Sequence, residues 1–129
     1  MKAKLLLFVL LSFSFYLLSS QVPQGFNYQA IARDVTTGKP IINTALPVRI
    51  TIQSDSLAGT TFWIEEHNSV TTNSYGLFNI ILGKGLRKAG STAATFSDID
   101  WRVTPMFIKT EINKSGWKNL GSSRLWAVP

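Results

Sequence analysis

The sequence predicts an all-β protein: a single antiparallel β-sandwich of six to seven strands, preceded by a signal-peptide helix. Three observations predict this class. Short runs of alternating apolar and polar residues recur along the chain, turn residues separate them at a spacing of roughly 8–12 residues, and helical periodicity is scarce. The chain contains no cysteine, so the fold is expected to be stabilised by packing rather than by disulfides.

The first 20 residues have the order of a secretory signal peptide. Lys2 and Lys4 give a positive start, 5–18 is an uncharged and largely apolar run, and Ser19 and Ser20 lead into a polar stretch. This order is typical of a cleaved export signal, whereas a membrane-spanning helix needs about 18 or more apolar residues. We expect cleavage after Ser20 and a secreted or cell-surface protein, with an uncleaved membrane anchor as the alternative.

The remaining chain, 21–129, is predicted to form one β-sandwich domain. Removal of the signal peptide leaves 11 basic and 7 acidic side chains, and the length is typical of a single domain. The basic residues are scattered, whereas nucleic-acid-binding proteins concentrate them on one face. We therefore predict no nucleic-acid partner, and no stable membrane insertion after signal cleavage.

Alternation defines the strands of the first half. The first, 26–33, places four apolar side chains on one face: Phe26, Tyr28, Ala30 and Ala32. A turn is predicted at 34–40, which contains Gly38 and Pro40. The next strand, 48–53, directs three side chains inward: Val48, Ile50 and Ile52. In a third strand, 61–71, adjacent Glu65 and Glu66 interrupt the alternation, which predicts a β-bulge at this pair.

The second half of the chain has a less regular pattern of apolar and polar residues. Asn73 and Gly76 suit positive φ in a turn, and 77–82 is apolar on both faces, as in a central strand. A long loop is expected at 83–97, with a short helical turn near 96–101 that Ser97 would cap. Two further strands are predicted, 106–112 with Met106, Ile108 and Ile112 inward, and 125–128 at the end of the chain.

Few residues suggest chemistry. His67 is the only histidine; it shares a strand face with Glu65, and this pair could hold a metal only with ligands from elsewhere. An outward polar stripe is the expected role. Asp98 and Asp100 are expected to serve helix capping rather than acid–base catalysis. No catalytic residue, metal or cofactor is predicted. A small exported hydrolase that uses Glu66, His67 or Asp98 is the least favoured of three functional hypotheses; the other two follow below.

Four tryptophans are many for this length: Trp63, Trp101, Trp117 and Trp126. Exposed tryptophans can stack on sugar rings, so Trp63 and Trp117 are candidate ligand contacts of a carbohydrate-binding module. The same side chains fit a hydrophobic core or a domain interface, and this interpretation is preferred.

Six segments are distributed along the predicted mature chain: VPQGFNYQAIARD at 22–34, HNSVTTNSYGLF at 67–78, GKG at 83–85, FSDIDW at 96–101, FIKTE at 107–111 and SRLWAVP at 123–129. Together they resemble an N-terminal domain of secreted Bacteroidota proteins. The segment 70–78 is also similar to transthyretin-like and carboxypeptidase-regulatory-like sandwiches. Ser56, in an Asp-Ser-Leu turn, resembles a short O-glycosylation motif of Bacteroidota.

The resemblance implies a function and a longer protein. Such domains precede variable regions, among them collagen-like stretches and tail-fibre-like repeats, and they carry no catalytic residues to transfer. We therefore expect a non-catalytic secreted or cell-surface module that positions or assembles a downstream adhesive or fibrous region. The sequence is expected to be truncated behind Pro129 and to dock that missing C-terminal region; a protein that ends on an edge strand is the alternative. The expected partner is a protein or, alternatively, a surface glycan.

Overall fold

The computed structural model describes residues 24–57 and 59–126, together with residue 4. The described residues form seven strands in two antiparallel sheets, which confirms the predicted all-β sandwich. β1 (Phe26–Ile31) pairs with β4 (Leu77–Leu82) in one sheet. The other sheet has the order β5-β3-β2-β6-β7, with the bounds β2 Ala45–Gln53, β3 Thr61–Thr71, β5 Leu86–Arg87, β6 Met106–Asn113 and β7 Trp117–Leu125. The predicted signal peptide, 1–20, lies outside the described residues apart from residue 4.

A single hydrophobic core lies between the two sheets. Every inward position predicted for β2 and β6 is buried there: Val48, Ile50, Ile52, Met106, Ile108 and Ile112. The two-stranded sheet contributes Phe78, Ile80 and Leu82 from β4. Alternation produces this result because successive side chains of a strand point to opposite faces. A hydrogen bond also joins the two sheets: the Tyr28 hydroxyl of β1 lies 2.7 Å from Thr110 Oγ1 of β6.

A one-turn 3-10 helix, Phe96–Asp98, closes one end of the core. Phe96 is 5% exposed, and its ring centroid lies 5.3 to 6.1 Å from the rings of Phe26, Trp63 and Trp101. The capping residue is Thr95, not the predicted Ser97. The Asp98 carboxylate accepts hydrogen bonds from the Thr95 backbone amide (3.1 Å) and hydroxyl (2.8 Å), so the helix begins one residue after Thr95.

The predicted turn at 34–40 is confirmed by an isolated bridge between Arg33 and Pro40. Its first residue, Asp34, accepts hydrogen bonds from the backbone amides of Thr36 (2.8 Å) and Thr37 (3.0 Å). The amide of Thr37, and then that of Thr36, holds the pKa of Asp34 below its usual value, since both stabilise the ionised carboxylate.

Two predictions for the strands of the first half and the turn that follows them are wrong. Glu65 and Glu66 stay in register with β2, and the nearest register shift instead lies opposite Pro47. Proline has no amide hydrogen, so it cannot continue the ladder there. In the turn after β3, Gly76 has a positive φ of 79° but Asn73 does not. Asn73 acts through its side chain, which accepts hydrogen bonds from two backbone amides.

Two predictions for the later strands are also wrong. β4 is not a central strand: it lies in the two-stranded sheet, and the outward Ile81 is 48% exposed. An apolar run does not reveal whether a second layer covers its outer face. The last described strand is 117–125 rather than 125–128, because the turn after β6 returns the chain immediately. The polar side chains of this edge strand obscure its pattern. Residues 127 and 128 lie outside the described chain.

Candidate functional site

The fully buried carboxylate of Glu65 lies at the junction of the two sheets. Trp63 Nε1 donates to Oε2 at 2.9 Å, and the Gly83 backbone amide donates to both carboxylate oxygens at 2.9 and 3.1 Å. His67 Nε2 lies 2.7 Å from Oε1; because a carboxylate can only accept, Nε2 donates this bond. Since Gly83 directly follows β4, Glu65 of β3 connects the sheets. The expected outward polar stripe is therefore wrong for Glu65 and His67, which share the inner face of β3.

The neighbourhood of His67 is tightly packed. An added Cβ at Gly85 would lie 2.7 Å from His67 Nε2, so the glycine at this position admits the imidazole. The described residues contain no group of three or more His, Cys, Asp or Glu side chains placed to hold a metal ion. The predicted placement of Glu65 and His67 on one face is confirmed. Glu65 also connects β3 to the end of β4 through the Gly83 amide.

The structure separates the residues of the hydrolase hypothesis. Glu66 follows the alternation to the outer face of β3, where Arg49 donates to its Oε1 at 2.8 and 3.0 Å. His67 lies on the inner face beside Glu65, and Asp98 caps the 3-10 helix. Asp100 instead pairs with Arg102 at 2.9 Å; the hydrogen bond from the Arg102 side chain holds the pKa of Asp100 below its usual value.

The four tryptophans have different environments. Trp63 is 4% exposed and packs in the core, so its ring faces cannot stack on a surface sugar; the core interpretation is confirmed for this residue. Trp101 packs partly buried against the same cluster. Trp117, half-buried at the start of β7, has the Arg49 guanidinium 3.9 Å from its ring centroid. Trp126 is 82% exposed, beside the guanidinium of Arg124.

Ser56 lies exposed in the connection between β2 and β3. The Asp55 carboxylate of this turn accepts a hydrogen bond from the Leu57 amide at 2.9 Å. The position is accessible, and glycosylation of Ser56 stays a prediction.

The outer face of the five-stranded sheet contains a polar cleft of about 420 Å³. Its ionisable lining residues come from four parts of the chain: Arg49 on β2, Glu66 on β3, Lys88 after β5, and Lys109 and Glu111 on β6. Lys88 Nζ lies 3.5 Å from Glu66 Oε2, while Lys109 Nζ lies 3.6 Å from Glu111 Oε1. Three cations therefore face two carboxylates across neighbouring strands. We call this feature the outer cleft.

The floor of the outer cleft contains two polar side chains of β2 that are nearly inaccessible, Thr51 at 4% and Gln53 at 3% exposure. Both point away from the apolar core, and the sequence pattern predicts no functional role for either. Gln53 Nε2 is the one buried side-chain nitrogen or oxygen of the described residues that lacks a hydrogen-bond partner. An outward glutamine in a strand is an ordinary pattern, so no sequence signal distinguishes this residue.

These observations define the protein's class: a cysteine-free, two-sheet antiparallel β-sandwich with a buried carboxylate between the sheets and a charged cleft on its larger sheet. The chain belongs to the family described as "Domain of unknown function (DUF8740)", whose model matches residues 27–123. No curated protein and no solved structure matches the chain. No helix of the described residues is long and apolar enough to cross a membrane.

Proposed function

We propose that the chain is a non-catalytic module of a secreted or cell-surface protein, and that it assembles an adhesive or fibrous region by accepting a strand from it. The resemblance to secreted Bacteroidota proteins supports the cellular setting. The observation that carries the assembly role is the open side of the sandwich. There β1 and β7, edge strands of the two sheets, flank a groove of about 320 Å³.

The free edge of β1 offers backbone donors to this groove. Ala32 donates its amide to Gly76 at 2.8 Å on the β4 side, and donor direction alternates along an antiparallel strand. The amides of Asn27, Gln29 and Ile31 therefore point away from β4. Within the described residues β1 pairs with β4 alone, so these three amides face the open side.

The two edges differ in their protection against strand addition. β7 carries Lys118 and Arg124 and a register shift beside Thr110 of β6; charges and bulges on an edge discourage pairing with another chain. β1, with the sequence Phe-Asn-Tyr-Gln-Ala-Ile, has no charge and no proline, and its register with β4 is continuous. An extended segment can thus add to β1 through main-chain bonds.

The non-catalytic part of the proposal is supported by the bonds of the titratable groups. Glu65 accepts bonds from Trp63, His67 and the Gly83 amide, and these contacts hold the two sheets together. Glu66 and His67 lie on opposite faces of β3, so they do not form one acid–base site.

The test compares Gln29→Pro with Gln29→Ala in the full-length protein on intact cells. Proline removes the outward amide and is tolerated on edge strands, whereas alanine retains the amide. We expect export of both variants, and loss of surface assembly, measured by crosslinking and antibody labelling, for Gln29→Pro alone. Ile31→Lys, which adds a charge to the edge, should reproduce the loss.

Hydrogen exchange gives an independent readout. In the assembled protein the amides of Asn27, Gln29 and Ile31 should exchange slowly, and in the isolated chain they should exchange fast. Normal assembly of both Gln29→Pro and Ile31→Lys would rule out strand addition at this edge. Fast amide exchange at β1 in the assembled protein would also rule it out.

Carbohydrate binding is a second candidate, favoured by the position of Trp117. The Arg49 guanidinium lies over one face of this ring, and Arg49 also lines the outer cleft. An aromatic ring thus adjoins a polar site, and its opposite face is the one that could stack on a sugar. Loss of retention on glycan affinity gels in Trp117→Ala would support this function. Equal retention of Trp117→Ala and the unmodified chain would exclude a role for this ring.

A further inference from the structure

Gln53 has an unusual environment on the floor of the outer cleft. Its side chain is 3% exposed, and Nε2 has no hydrogen-bond partner. A buried donor without an acceptor destabilises a folded protein because it has lost its bonds to water. Such groups are rare and call for an explanation in each case. A ligand that brings an acceptor into the outer cleft would supply the missing bond.

The side chains next to Gln53 determine which acceptor fits. Gln53 pairs with Phe107 and Thr51 pairs with Lys109, so Gln53 and Lys109 are diagonal neighbours on adjacent strands, within reach of long side chains. Lys109 Nζ is 3.6 Å from Glu111, which is too far for a hydrogen bond. A neutral amide donor and an ammonium group are thus both available on one side of the cleft.

The charges of the outer cleft are not fully compensated. Glu66 accepts from Arg49 and lies near Lys88, so two cations face this one carboxylate, while Lys109 and Glu111 form a one-to-one ion pair. With Arg49, Lys88 and Lys109 against Glu66 and Glu111, the lining carries one net positive charge. This excess of positive charge favours an anionic group in the cleft. The unpartnered amide of Gln53 and its diagonal neighbour Lys109 supply donors to it, and the Thr51 hydroxyl is left to contact sugar hydroxyl groups.

We infer that the outer cleft binds a carboxylated sugar unit of an acidic polysaccharide, with Gln53 Nε2 and Lys109 Nζ donating to its carboxylate. The volume of about 420 Å³ lies in the range of small-molecule sites. Because Nε2 is buried in the free domain, side chains that line the cleft must move before a ligand can reach it. This inference rests on the carbohydrate-binding candidate and narrows its ligand, and it is independent of strand addition at β1.

The experiment measures binding of the secreted chain to polygalacturonate, alginate and hyaluronan, with fully methyl-esterified polygalacturonate as the uncharged match and acetate as the free carboxylate. We expect retention on at least one acidic polymer. If polygalacturonate is bound, its methyl ester should bind at least tenfold more weakly. Acetate should show no comparable binding. The Gln53 side-chain amide resonance should shift on titration.

Two variants test the named donors. Gln53→Leu removes the unpartnered group at similar volume, so it should raise the unfolding midpoint while weakening polysaccharide binding at least tenfold. Lys109→Met should weaken binding of the acidic polymer but not of its methyl ester. Lys114→Met removes an equal charge from an exposed lysine outside the cleft and controls for overall charge.

The possible results are distinct. No retention on any of the three acidic polymers overturns the inference. So does unchanged affinity in both Gln53→Leu and Lys109→Met, or equal affinity for the acid and its ester. Retention that is lost in Trp117→Ala but kept in both cleft variants would support the carbohydrate-binding candidate while rejecting this ligand class.

Discussion

Glu65 is the residue whose role depends most on its surroundings. A carboxylate in the middle of a strand is commonly a surface group, yet here it is fully buried and accepts bonds from one indole, one imidazole and one backbone amide. Hydrogen bonds to a charged acceptor are stronger than neutral ones. The group therefore contributes to stability by joining β3 to the end of β4.

The Glu65→Gln variant tests this contribution. The amide keeps the volume of the side chain but directs an NH2 group toward neighbouring donors. We expect a loss of about 2–4 kcal/mol in the free energy of unfolding, measured by urea denaturation. Glu111→Gln, on the outer face, should lose less than about 1 kcal/mol. Equal losses in the two variants would contradict the role assigned to Glu65.

Among the elements, the turns carry the strictest backbone requirements. Gly76, between β3 and β4, has φ of +79°, and an added Cβ would lie 2.8 Å from Pro40 Cβ and 3.1 Å from the Ala32 carbonyl oxygen. Gly38, in the turn after β1, has a similar φ of +72° but no atom within 4 Å of the same position. The two glycines thus share one backbone conformation and differ in crowding.

This pair separates backbone strain from steric conflict. Gly38→Ala should lose about 1–2 kcal/mol of stability, the strain of a left-handed alanine. Gly76→Ala should lose about 1–3 kcal/mol more, because Pro40 and the Ala32 carbonyl must move. Thermal and urea unfolding of both variants measure the difference. Equal destabilisation would mean that crowding at Gly76 contributes nothing.

At the scale of the whole molecule, the two sheets share one core and should unfold together. Phe96 couples the two sheets because its ring contacts Phe26 of the smaller sheet and Trp63 of the larger one. It enters the core from the connection between β5 and β6, so it covers an end that the strands alone leave open.

Phe96→Ala should destabilise the domain by about 3–5 kcal/mol through loss of burial and creation of a cavity. Far-ultraviolet and near-ultraviolet circular dichroism should report the same unfolding transition, since both sheets depend on the same cluster. Tyr75→Ala, at a site that is 76% exposed, should change stability by less than about 0.5 kcal/mol. Separate transitions in the two signals would contradict a single cooperative core.

The site was less predictable than the fold. The same-face placement of Glu65 and His67 follows from strand alternation, but alternation does not say which face is buried. The contact with Gly83 depends on how the second sheet packs. Gln53 and Lys109 are 56 positions apart in the sequence, and only the pairing of β2 with β6 brings them to one cleft.

The sequence by itself determined the fold class, the inward residues of β1, β2 and β6, and the turn at 34–40, because local alternation and turn chemistry suffice for these. Tertiary structure alone decided that β4 belongs to a two-stranded sheet, that the register shift nearest Glu65 and Glu66 lies opposite Pro47, that β7 begins at Trp117, and that Glu65 faces inward. Each of these depends on contacts between distant segments, and local patterns do not specify which surfaces a neighbouring sheet will cover.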